Sequence, residues 1–161
     1  MKSLIITISL LIGISAQAEL KVGDTARYAV EMNGNHFDML NEVLSIDTKN
    51  DAYSMKQTIF MGETQVQQNT EQEKISENDQ NEGIYDVCLQ LPSDFNPRYE
   101  TITVLAGTFS TCHMTITDQT GAIINGYFAK VVFGFVKMTK ENSTDQSDMS
   151  LELKEYKKNF N

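Results

Sequence analysis

The sequence predicts a mainly β protein with one antiparallel sheet that is curved or partly closed. Two observations lead to this fold class. Short segments in which apolar and polar residues alternate recur along the chain, which is typical of strands with one buried face. Turn residues separate these segments at short intervals, and no segment has the spacing of a strongly amphipathic helix.

The opening strands form a meander in which each strand pairs with the one before it. Tyr28, Val30 and Met32 share one face of the first strand, and the following Asn33-Gly34 is a strong hairpin signal. The predicted strands cover residues 26–32, 37–47, 52–61, 84–91, 100–105, 108–117, 123–132 and 135–140, with a last strand around Leu151, Leu153 and Tyr156.

An acidic segment interrupts this pattern at residues 63–83. It has six acidic residues against one lysine, and Val66 and Ile75 are its only aliphatic side chains. Its first part is predicted to be an exposed strand, and its second part a solvated helix or a mobile loop. The alternative is a lid or a segment that binds a partner.

Residues 1–18 have the three parts of a secretory signal peptide. Lys2 provides the positive end, residues 4–14 form a short apolar stretch, and Ala16-Gln17-Ala18 is a small-residue cleavage site. A membrane anchor would need about 20 apolar residues. We therefore expect cleavage after Ala18, and a single β-rich domain over 19–161 in the periplasm or outside the cell, with no membrane span.

Cys88 and Cys112 are the only cysteines. Because an exported chain meets an oxidising compartment, an even count of two predicts one disulfide. Two separate buried thiols are the alternative. A metal site is not expected, since the chain has only two histidines and neither has ligand spacing from a cysteine.

Composition and motifs argue against several functions. The net charge of -9 argues against nucleic acid and against anionic lipid surfaces, because both require clustered basic residues. No catalytic motif or phosphate-binding glycine loop is present. His113 directly follows Cys112, which places the two on opposite faces of a strand and predicts a surface or groove position for the histidine. The expectation is a protein that is not an enzyme and has no cofactor.

The segment Val104–Cys112, VLAGTFSTC, resembles the V-x-A-G-T-F-x-C signature of TapB-like exported bacterial domains of unknown function. These domains are similar in architecture to half-barrel lipoprotein carriers of the LolA/LolB type. Later elements of the family match in order at residues 126–130, 134–137 and 151–153. The resemblance implies a single antiparallel sheet curved into an open half-barrel with an apolar concave face, over which a short helix or loop can lie.

Apolar side chains suggest binding rather than catalysis. Methionine-rich surfaces suit varied apolar ligands, and both faces of the chain are apolar around Phe133-Gly134-Phe135. The candidate ligand-binding residues are Met55, Phe128, Phe133, Phe135 and Met138. The predicted function is a non-enzymatic carrier or binding protein for an apolar ligand or partner segment. A lipid, a lipoprotein and an envelope protein are the candidate partners. The alternative is a structural or interaction protein whose core is closed.

Overall fold

Nine strands form one antiparallel sheet in the computed structural model, which describes residues 20–141 and 148–159. The strands are β1 (Thr25–Met32), β2 (Asn35–Asp47), β3 (Ala52–Met61), β4 (Thr64–Lys74), β5 (Arg98–Val104), β6 (Gly107–Thr117), β7 (Ile123–Phe128), β8 (Phe135–Glu141) and β9 (Met149–Lys157). Helix α1 (Ile75–Gly83) follows β4. Single turns of 3-10 helix follow at Cys88–Gln90 and Ser93–Phe95. The predicted signal peptide lies outside the described residues.

The strand order shows that the sheet is open. Along the sheet the strands run β4-β3-β2-β1-β9-β8-β7-β6-β5, so that β4 and β5 are the two edges of the described sheet. Strand β9 joins two meanders, because it pairs with β1 on one side and with β8 on the other. The predicted fold class, a single antiparallel sheet curved as an open half-barrel, is confirmed.

The first hairpin forms as the sequence predicts. Met32 pairs with Asn35, which leaves Asn33 and Gly34 as a two-residue turn. Both turn residues have positive φ angles, 53° and 76°. A two-residue turn of this kind matches the twist of the flanking strands and fixes their register.

The V-x-A-G-T-F segment forms the hairpin between β5 and β6. Leu105 and Ala106 are the turn residues, and Gly107 has a φ of 133°, which a side chain would disfavour. The turn reaches back to β9, where the Ala106 amide donates to the Leu153 carbonyl at 3.0 Å. The pairing of β8 with β9 stops at Lys137 and Glu152, and the β5–β6 hairpin contacts the next residue of β9, Leu153. The segment is therefore a determinant of the fold.

Two predicted strands are corrected by the structure. Residues 84–91 form turns and a 3-10 helix instead of a strand. The buried residues of this segment, Ile84, Val87, Cys88 and Leu91, have the i, i+3, i+4, i+7 spacing of a helical face, which the sequence already contained. The predicted strand 123–132 ends at Phe128, and residues 129–134 form a turn.

Cys88 and Cys112 are bonded, as predicted. Because Cys88 lies in a 3-10 helix, the bond joins this turn to β6, and the expectation of one cysteine on each of two strands is wrong. Both sulfurs are fully buried. The disulfide holds the segment between α1 and β5 against the sheet.

Candidate functional site

A cavity of about 260 Å³ lies between the inner face of the sheet and α1. Eight of the nine strands contribute to its lining, and β5 is the exception. The apolar lining side chains are Tyr28, Met39, Tyr53, Met55, Ile84, Met114, Ile116, Ile124, Phe128, Phe133, Phe135, Met138 and Leu151. The polar ones are Asn41, Glu73, Lys74, Glu77, Asn78, Gln80 and Asn81.

The structure brings all five candidate ligand-binding residues together in this lining. Met55 comes from β3, Phe128 from the end of β7, and Phe135 and Met138 from β8, while Phe133 comes from the turn between β7 and β8. Residues more than 70 positions apart in the sequence therefore meet around one space. Their binding of a ligand stays a prediction.

Gly126 allows Phe128 to lie over its own strand. A Cβ atom on Gly126 would be 2.7 Å from the Phe128 ring, so that any larger residue would displace the ring. In this position the ring meets Phe135 of the neighbouring strand, with the ring centroids 4.6 Å apart. The glycine thus shapes the aromatic side of the cavity.

The turn after β7 lies very close to the backbone of helix α1. Phe133 and Gly134 both have positive φ angles, 63° and 74°. A Cβ atom on Gly134 would lie 2.6 Å from the backbone carbon of Asn81 in α1. The absence of a side chain therefore lets the turn pack against the helix, and Phe133 contacts Tyr53 across the cavity at 6.4 Å between ring centroids.

Helix α1 is held at its beginning by the turn between β2 and β3. The Asp51 carboxylate accepts hydrogen bonds from the Ser76 amide at 2.9 Å and from the Ser76 hydroxyl at 2.5 Å. The Asp51 carbonyl accepts a third from the Ile75 amide. The cap thus comes from another element, which positions the helix over the sheet as well as stabilising its first turn.

At its other end, α1 is held by a buried ion pair. The Glu82 carboxylate lies 3.1 Å from the Lys158 ammonium and also accepts a hydrogen bond from the Asn78 amide group. Only 5% of the Glu82 side chain is exposed. Burial raises the pKa of Glu82, and Lys158 opposes that shift. The acidic segment 63–83 thus forms an edge strand and a helix that lies against the sheet, and its mobility stays a prediction.

Burial, and after it nearby carboxylates, raise the pKa of the two tyrosines that face the cavity. Burial raises the pKa of Tyr53, and the carboxylates of Glu73, Glu77 and Glu82 raise it further. The pKa of Tyr28 is raised first by burial, then by Tyr53 and Glu82. Both phenols are therefore neutral at physiological pH.

His113 does not lie at the surface or in the groove. Its ring is buried, stacks on Tyr127 with the centroids 4.4 Å apart, and makes a hydrogen bond of 3.1 Å with the Asn125 side chain. It does not line the cavity. In residues 20–141 and 148–159, no group of three His, Cys, Asp or Glu side chains could hold a metal ion. No helix in these residues is long and apolar enough to cross a membrane.

The helical wall of the cavity is the part that sequence reasoning missed. Its lining residues Glu77, Asn78, Gln80 and Asn81 are polar, and a polar acidic segment was expected to be solvated. No hydrophobic periodicity could have identified it, because polar contacts hold the helix. Tyr28 and Met55 lie at alternating positions of their strands, and this pattern was visible in the sequence.

Comparison with known proteins gives the fold. No protein-family model and no curated protein matches the chain. A Bacteroides fragilis protein assigned as exported, with a YmcC-like fold, matches with a TM-score of 0.55 and 11% identity, over 86% of this chain and 97% of that one. MucB in complex with MucA(peri) matches with a TM-score of 0.52 and 12% identity, over 84% of this chain and 49% of MucB.

The MucA/MucB complex of Pseudomonas aeruginosa gives a similar match, with a TM-score of 0.52, 12% identity and coverage of 83% of this chain and 50% of that one. The chain thus spans about half the length of MucB. At such low identity, these matches establish the fold alone. The chain has the open half-barrel fold of these proteins, in agreement with the LolA/LolB-type architecture expected from its sequence.

Proposed function

We propose that this chain is an exported binding protein that holds an apolar ligand between its curved sheet and α1, and that it is not an enzyme. The observation that carries this proposal is the cavity of about 260 Å³ lined by methionine, phenylalanine, tyrosine and isoleucine side chains. Ligand sites in proteins are typically concave and mostly apolar, with a few polar groups. A structural protein with a closed core would not need such a space.

The signal peptide expected at residues 1–18 supports a location in the periplasm or outside the cell. The similar fold of a protein assigned as exported agrees with this location. The segment Val104–Cys112 supports the finer relation to TapB-like domains, which remains part of the proposal.

A segment of a partner protein is the second candidate for the occupant. The solved structures of similar fold include MucB in complex with MucA, so this architecture has a member that binds another protein. A lipoprotein or another envelope protein would present an extended apolar segment to the same surface. The apolar lining accommodates such a segment as well as a lipid chain.

A neutral fluorescent probe tests whether the cavity takes up apolar molecules. N-phenyl-naphthylamine fluoresces in apolar surroundings, so we expect its emission to rise when it is titrated with the purified protein. Met138→Trp should abolish most of this uptake, because the larger side chain fills the cavity from β8. Met61→Trp is the matched control, since Met61 is 55% exposed and does not line the cavity.

Unchanged thermal unfolding of both variants would show that the loss of uptake comes from filling the cavity. Equal probe uptake by wild type and by a correctly folded Met138→Trp variant would place the binding elsewhere and contradict the proposal. Absence of uptake by wild type would favour the closed-core alternative.

A further inference from the structure

The charged side chains in the cavity lining all lie on its helical side. They are Glu73 and Lys74 at the end of β4 and Glu77 in α1. Among the described residues of the lining there is no arginine or histidine. The Lys74 ammonium is already 3.6 Å from a Glu77 oxygen, and 67% of the Lys74 side chain is exposed. The lining therefore carries one ion pair, Lys74–Glu77, and one further carboxylate, Glu73, which together give this side of the cavity a net negative charge.

The negative charge at this wall is partly shielded from water. Burial raises the pKa of Glu73, and the carboxylates of Glu71 and Glu77 raise it further. The same wall acts on the Tyr53 phenol, whose pKa is raised by burial and by Glu73 and Glu77. A positive group beside Glu73 would offset the repulsion from Glu71 and Glu77, whereas a second negative group would increase it.

The rest of the lining is apolar. Met55 comes from β3, next to β4, and strands β6–β8, which lie towards the other end of the strand order, supply further apolar side chains. The cavity is thus divided into an apolar part and an acidic part. Such a division is complementary to a molecule with an apolar chain and one charged end.

We infer that the preferred ligand is a cationic amphiphile, with its apolar chain among the methionine and phenylalanine side chains and its ammonium group beside the Glu73 carboxylate. This inference deepens the proposed function and rests on it. An anionic amphiphile, such as a fatty acid, would find in the lining only Lys74, which already pairs with Glu77.

Three probes with the same chain separate the charge preference from apolar binding. Decylamine, decanol and decanoate are titrated separately into the protein, and displacement of N-phenyl-naphthylamine gives the affinity of each. We expect decylamine to bind about tenfold more tightly than decanol, as is reasonable for one partly buried ion pair, and decanoate to bind most weakly.

Glu73→Gln should reduce the affinity for decylamine to about that for decanol, while decanol itself binds as before, because the Lys74–Glu77 pair stays intact. Glu63→Gln is the matched control, because it removes one acid from the same β3–β4 hairpin outside the lining. The preference for decylamine over decanol should also fall as the pH is lowered, because Glu73 is protonated at a higher pH than an ordinary glutamate.

The results distinguish a failure of the charge preference from a failure of the proposed binding function. If decanoate or decanol binds as tightly as decylamine, the charge preference is overturned and the binding function stands. If none of the three displaces the neutral probe, the inference is overturned, and the uptake of that probe by wild type and by Met138→Trp decides the binding function separately. A preference for decylamine that survives Glu73→Gln would place the ammonium elsewhere and overturn the inference.

Discussion

Glu82 shows how one buried charge positions a wall of the cavity. The Glu82 carboxylate is nearly inaccessible and lies 3.1 Å from the Lys158 ammonium. The Lys158 side chain is 14% exposed. Since burial raises the pKa of Glu82, the folded state binds a proton at this site more tightly than the unfolded chain does. The charged carboxylate therefore costs stability at neutral pH. Stability from this group rises as the pH falls from the raised pKa towards the ordinary value for a glutamate.

Replacement of Lys158 by Met should expose this cost. We expect the free energy of unfolding to fall by about 3 kcal/mol at neutral pH, because the substitution leaves a buried carboxylate without its partner. The loss should be smaller at mildly acidic pH, where Glu82 takes up a proton. Urea unfolding at both pH values measures the two losses, with the exposed neighbour Lys157→Met as control. Equal losses at the two pH values would show that the Glu82 charge is not the cause.

The backbone conformation of single residues could be predicted from the sequence where their own conformational preferences determine it. Asn33-Gly34 forms the expected turn, because both residues tolerate positive φ. Phe133 also adopts positive φ, and its residue type gives no hint of this conformation. The turn at Phe133 and Gly134 depends on the close contact of Gly134 with α1. This contact joins residues that are far apart in the sequence, so local sequence does not predict it.

At the scale of elements, β1 and the first half of β3 could be predicted because alternate residues are buried there. In β2 the alternation is interrupted, because the pairing register shifts between Val43 and Ser45 and Leu44 is exposed. Residues 84–91 could not be assigned as reliably, since a short apolar run fits a strand or a helical turn. In the structure, the end of this segment is a 3-10 helix that begins at Cys88, and the disulfide holds it against β6. The position of helix α1 was the hardest feature to predict, because the Asp51 cap and the Lys158 ion pair that hold it come from distant parts of the chain.

Removal of the disulfide tests the role of the segment that it holds. The double substitution Cys88→Ser and Cys112→Ser should lower the free energy of unfolding by about 3 kcal/mol, because the bond closes a loop of 24 positions in the unfolded chain. Urea unfolding of the double variant against wild type, both without reductant, measures this loss. Wild type in reductant serves as a second comparison and should match the variant. A double variant as stable as the oxidised wild type would contradict this role.

At the scale of the whole molecule, the half-barrel could be predicted and the form of its cavity could not. Regular strand spacing and the Val104–Cys112 segment together indicated one curved antiparallel sheet. The candidate residues Phe128, Phe135 and Met138 were found because they crowd two successive strands with apolar side chains. The acidic side of the cavity depends on where α1 lies, which follows from the Asp51 cap and the Lys158 ion pair.

The open sheet and the helix over it are the structural basis of the proposed binding function. Eight strands provide one continuous inner surface, and α1 closes part of it without filling it. A sheet of this size with a dry, filled core would gain stability from packing. The protein instead keeps an apolar space next to a polar wall, which is the arrangement expected of a binding site.

Native mass spectrometry of the protein purified from a bacterial periplasm tests this account most directly. The full chain with its own first residues would be expressed and kept in detergent-free buffer throughout. We expect the mass of the folded wild-type protein to include a bound small molecule that collisional activation releases. The Met138→Trp variant should show the mass of the protein alone. The central claim that the cavity is a binding site would be contradicted if the wild-type protein showed no bound molecule and also failed to take up the neutral probe.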